Sequence, residues 1–147
     1  ANEDAEFDYR FINRGHSIFL ENKSPVGYIP RPTLLGYWKQ MRRNGRFRIQ
    51  TALKHRIPLG LRQILPLMIL PGLVGSAILG LFLHPVFWFG VVVYALLVMG
   101  LSTKATVQSD KPSISMATTV ATIAVISHAA FSLGGLQRLG EAMLFKK

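Results

Sequence analysis

From Gln63 to Thr103 the chain carries no Lys, Arg, Asp or Glu, a run of about 41 residues broken near its middle by Leu83-His84-Pro85. At roughly 20 residues per crossing, such a run predicts two membrane spans joined by a tight turn, at about 64–83 and 86–102. A second uncharged stretch, Ser113 to Leu136, is rich in Ser, Thr, Ala and Gly. Small and hydroxylated side chains are what helix contacts in lipid use, so this stretch predicts a third span at about 113–136. Half of the 147 residues are hydrophobic and only 16% are charged, too few charges to cover the surface of a soluble domain of this size. The fold class that follows is mainly α and integral to the membrane, with about three transmembrane helices making up residues 63–147.

The net charge of +10 is concentrated. Lys39, Arg42, Arg43, Arg46, Arg48, Lys54, Arg56 and Arg62 all precede the first apolar run. A polybasic segment in that place meets anionic lipid headgroups, so the partners expected are membrane lipids and not nucleic acid. Thr33 can cap a helix running to about His55, with Leu34, Leu35, Trp38, Met41 and Leu53 as its apolar positions. With Tyr37 and Trp38 on it, this helix reads as an amphipathic interfacial helix within residues 33–62. Cysteine is absent, which removes disulfides, thiolate metal sites and a cysteine nucleophile.

Cationic residues mark the cytoplasmic side, so the basic block and everything before it are expected in the cytoplasm. The turn at His84-Pro85 then faces away, and the 103–112 loop, "TKATVQSDKP", returns. A third crossing leaves the basic tail outside, against the same rule. Two solutions stay open: a re-entrant last segment, or a tail exempt from the rule. The tail "QRLGEAMLFKK" reads as a short interfacial helix. His84 reads as a turn residue, and His128 as a histidine bonded to a neighbouring helix.

Four of the seven acidic residues, Glu3, Asp4, Glu6 and Asp8, fall in the first eight positions. Asn2 can cap a helix there, the carboxylates suit its positive end, and Gly15 can stop it, giving a helix over about 3–14. Glu6 with Arg10, and Phe7 with Phe11, stand four apart and are expected to pair. "HSIFL" then reads as a brief strand, "ENKSP" as a turn and "VGYIPRP" as a second extended piece. These elements are too short to bury a core alone, so residues 1–32 read as a small α/β remnant of a sheet completed elsewhere. The chain opens at Ala1, without a signal sequence and at the start of a helix, and is expected to be the C-terminal part of something longer.

"NEDAEFDYR", "GHSIFL" and "YIPRP" together resemble the closing part of the catalytic domain of membrane-bound family 2 glycosyltransferases. The nearest likeness is the succinoglycan-biosynthesis type, in which a GT-A domain is followed by membrane helices. The resemblance implies that residues 1–32 close a GT-A domain and that Asp4, beside Glu3, is the general base at the acceptor site. Inverting transfer needs such a base, because the acceptor hydroxyl loses its proton as it attacks the anomeric carbon. "WKQMRRNGRF" is similar to the family's interfacial helix, whose Gln and Arg approach the acceptor and the donor's pyrophosphate. Gln40 and Arg43 have the Q-x-x-R spacing, with Trp38 beside them. Asn44 stands where the family has Trp, so Arg46-Phe47 is an alternative register for the same pair. "HAAFSLGGLQRLG" is similar to the ending of this subfamily's membrane region.

The resemblance further implies a nucleotide-sugar donor, a lipid-linked or polysaccharide acceptor, and a catalytic part on the cytoplasmic face of the cell membrane. It implies Mg²⁺ or Mn²⁺ held by an Asp-x-Asp motif that this chain lacks, so the chain alone is expected to bind no metal and to be inactive. A second reading from another class is a small integral membrane scaffold or subunit without catalytic activity.

Overall fold

A computed structural model describes residues 3–19, 21, 27 and 29–144. Within these residues five α-helices follow one another: α1 (Glu3–Asn13), α2 (Leu34–His55), α3 (Leu61–Phe82), α4 (Phe89–Val107) and α5 (Ile114–Leu144), with a 3₁₀ turn at Pro85–Trp88 leading into α4. The described residues contain no strand. The α/β remnant expected at the start is therefore corrected: His16–Phe19 is irregular, and most of the expected turn lies outside the described residues. A single extended segment has no neighbour to complete a ladder with, so its sequence preference goes unused.

Helix boundaries follow local chemistry. Gly15, at φ +81, takes the left-handed conformation just past the end of α1. The Thr33 hydroxyl accepts from the Gly36 backbone N–H and caps α2, while the cap expected from Asn2 lies outside the described residues. At the far end of α2, Arg56 adopts a left-handed conformation and its N–H closes onto the Ala52 carbonyl. His84 is the turn residue expected, its Nδ1 accepting from Val86 N–H ahead of Pro85.

Among the described residues three helices are long and apolar enough to cross a membrane: α3, the segment Pro85–Val107, and α5. The first two begin and end close to the expected spans, but α4 continues through Lys104 to Val107, so the polar loop shortens to 108–113. Nothing between Thr103 and Val107 breaks a helix, and the bend comes at Ser109-Asp110. The larger correction is at the end of the chain. The tail is not a separate helix, because α5 runs unbroken for 31 residues and takes most of it in.

α5 packs against α2 over a close crossing. The two helices cross where Gly45 lies against the Phe131 carbonyl, Gly134 against the Arg42 carbonyl, and Gly135 against Ile49 and Leu67. A β-carbon at Gly45 or Gly134 would fall inside the opposite backbone, so glycine is what lets the two chains approach. Ile49 and Ala130 are fully buried beside this crossing. The face of α2 that packs is thus Tyr37, Met41, Gly45 and Ile49, and Leu34, Leu35 and Leu53, expected as apolar contacts, remain exposed.

Candidate functional site

The basic face of α2 is held at fixed points by α5. Tyr37 shares a hydrogen bond of 2.8 Å with Ser127, and Arg42 donates to Gln137 Oε1 at 2.6 Å. Arg46 meets both carboxylate oxygens of Glu141, at 2.8 and 2.9 Å, and Gln137 Nε2 also reaches Glu141, at 3.3 Å. Arg138 approaches the same carboxylate at 3.9 Å. Such a fork of parallel bonds fixes the direction of the guanidinium as well as its place.

A shallow cleft of about 250 Å³ opens between the helices, lined by Lys39, Arg42, Arg43, Arg46 and Gln137. A second, of about 290 Å³, continues on the other side of Arg43 and Lys39, with Arg31, Gly36 and Gln40. Arg43 and Lys39 line both, and Arg43 is exposed. Carboxylate charge at this place comes from Glu141, which Arg46 and Arg138 engage. Besides Arg46, the cations facing the clefts are Lys39, Arg42 and Arg43, with Arg31 on the second cleft, a set suited to a phosphate or diphosphate.

Gln40 and Arg43, named through the resemblance, both line the second cleft. Arg46, the alternative register, is committed to Glu141. Trp38 is half-buried on α2 and lines neither cleft. The acidic opening lies elsewhere. Asp4 is exposed on α1, which Glu3 begins, and α1 meets α2 through Glu6 and Tyr9 at the far end of that helix. Lys54 donates to Glu6 Oε1 at 2.6 Å, His55 Nε2 stands 3.3 Å from the same oxygen, and the Tyr9 ring tilts over His55 at 5.0 Å. Lys54 is about 16 Å along the α2 axis from Arg43, so α1 docks well away from the clefts.

Glu6 therefore pairs with Lys54 and His55, not principally with Arg10 as the spacing suggested. The Lys54 hydrogen bond, followed by that of His55, holds the Glu6 carboxyl below the usual carboxylate range. The Phe7–Phe11 stack expected on the same helix is present, with centroids 5.6 Å apart. His128 is bonded to a neighbouring helix, its Nδ1 standing 3.0 Å from the Tyr94 hydroxyl.

The residues that sequence reasoning missed are Gln137 and Glu141. They sit in what read as a separate tail, and only the continuity of α5 brings them over α2. The described residues bring no three or more of His, Asp and Glu together in a way that could hold a metal ion.

Over 136 residues, 90% of its length, the chain is 35% identical to the succinoglycan biosynthesis protein ExoA of Rhizobium meliloti (strain 1021). The chain is a distant homologue of that protein and spans 39% of its length. No family profile matches the chain. No solved structure matches it.

Proposed function

We propose that this chain is the membrane-associated part of an inverting family 2 glycosyltransferase, built on a GT-A catalytic domain, that acts in polysaccharide biosynthesis. The intact enzyme transfers a sugar from a nucleotide sugar to a lipid-linked or polysaccharide acceptor at the cytoplasmic membrane face. This chain contributes the acceptor-side basic helix and the membrane anchor, and is inactive without the nucleotide-binding part. The observation that carries the reading is the pair of clefts on α2, where Lys39, Arg42 and Arg43 face outward together. The relationship to a succinoglycan biosynthesis protein supports it.

In this reading Arg43, with Gln40 one turn before it, holds the diphosphate. Arg46 serves a different end: paired with Glu141, it fixes α2 on α5. The test compares Arg43→Ala with Arg48→Ala in the intact enzyme, since each removes one positive charge from the same helix. Transfer falls by about ten- to a hundredfold more in Arg43→Ala, the loss expected of a charge-assisted contact of about 1.5–3 kcal/mol. Equal, small losses would reduce the helix to a lipid-binding face.

A further inference from the structure

The unbroken α5 measures depth in the membrane. From Ile114 to Gly134, where α2 crosses, is about 30 Å at 1.5 Å per residue, the thickness of the hydrocarbon core. The 108–113 loop therefore lies about one bilayer core away from the α2–α5 crossing.

α4 returns along the same path. Next to the loop the Ser109 hydroxyl reaches Met116 Sδ, and further up Tyr94 meets His128. Both helices cover about 20 Å between these two contacts, so they run side by side in opposite directions. Val98, Ser102 and Thr106, buried at four-residue spacing, form the face of α4 that packs. Continued back to Phe89, α4 reaches the depth of the α2 crossing.

Both ends of α3 are found at that depth too. Near its start, Leu67 packs on Gly135, and the Ser132 hydroxyl bonds the Pro66 carbonyl and the Leu70 N–H, filling the helix ladder between Pro66 and Pro71. Near its end, Gly80 packs on Trp88 and the Ser76 hydroxyl bonds the Phe87 carbonyl, in the turn that opens α4.

We infer that α4 and α5 form the transmembrane hairpin, and that α3 with the Pro85–Trp88 turn is a re-entrant arm embedded in the leaflet on which α2 lies. The partner of this arm is lipid. Phe82, Leu83, Val86 and Phe89 are 82, 70, 62 and 71% exposed, and His84 is the sole polar side chain among residues 81–89, so no charge holds the tip in water. Charge supports the same arrangement. Lys54, Arg56, Arg62 and Arg138, with the basic face of α2, lie at the α2 end, whereas the only cations at the opposite end are Lys104 in the last turn of α4 and Lys111 in the loop. The tail stays with the basic helix, so the conflict over its charge dissolves without a re-entrant α5.

The chain has no cysteine, so single substitutions report cleanly. His84→Cys, Gln108→Cys and Leu144→Cys are expressed in intact cells and exposed to a membrane-impermeant maleimide, before and after permeabilisation. Gln108→Cys labels in intact cells; Leu144→Cys labels only after permeabilisation; His84→Cys labels after permeabilisation or not at all. Labelling of His84→Cys or Leu144→Cys in intact cells overturns the inference. So does failure of Gln108→Cys to label until the membrane is opened, or its failure to label at all, since a loop in water must react.

Discussion

Arg43 and Arg46 are three residues apart on one helix, and their surroundings separate them. Arg46 has a carboxylate within 2.8 Å, while Arg43 faces two open clefts. The sequence left both registers open because the partner that decides between them, Glu141, is far along the chain. Asp4 poses the opposite problem: it is exposed on a helix that docks away from the clefts, so a catalytic role requires the acceptor to reach α1 from outside this chain's own surface. The prediction at this scale is that Asp4→Asn in the intact enzyme lowers kcat by about 10²–10⁴-fold, as removal of a general base does, while donor binding and membrane insertion stay unchanged. Steady-state kinetics with donor titration checks it. Near-normal turnover would remove Asp4 from the reaction, and the same loss in Glu3→Gln alone would move the role to its neighbour.

Among the elements, α1 is held on α2 through Glu6 and Tyr9, and the Glu6 contact depends on pH. The Glu6 carboxyl is held below its ordinary range by Lys54 and His55, so its contribution to docking is present above the unfolded carboxylate pKa and is lost as pH falls through the lowered one. Hydrogen exchange of α1 amides, corrected for intrinsic rate, rises when pH drops below about 4, the ordinary glutamate range, and Glu6→Gln shows the faster exchange already at neutral pH. An exchange rate in α1 independent of both would show that the ring contact between Tyr9 and His55 alone carries the docking. Elements were legible from sequence where a local rule sufficed. Thr33 as a cap, Gly15 as a stop and the long uncharged runs need only nearest neighbours and length. The strand expected at "HSIFL" failed because a strand requires a partner. The buried face of α2 was misread because its contact is made by Gly45, which has no side chain to register as apolar, and because Arg42 and Arg46 look solvated until Gln137 and Glu141 are placed.

For the whole molecule, the crossing of α2 and α5 joins the charged surface to the membrane part. Three features meet there: glycines at backbone contact, the Arg46–Glu141 fork, and the Arg42–Gln137 bond. The polar contacts are partly exposed and contribute only modestly, about 1 kcal/mol or less for an exposed pair, so close packing at the glycines dominates. Gly134→Leu places a side chain where the Arg42 backbone lies, and overpacking of this kind costs about 1–3 kcal/mol. Since α3 and α4 take their own contacts to α5 from Ser132, His128 and the residues below, the substitution frees α2 without dismantling the hairpin. Trypsin reports the difference, because α2 carries Lys39, Arg42, Arg43, Arg46 and Arg48, sites that an intact crossing shields through a helical, docked backbone. In membranes, cleavage within α2 proceeds roughly 5- to 100-fold faster in Gly134→Leu than in the unaltered chain, following the population of the undocked form. Glu141→Gln gives a smaller acceleration in the same assay. If both variants cleave at the unaltered rate, α2 is held by the lipid surface and not by α5, and the fixed geometry of the clefts loses its basis.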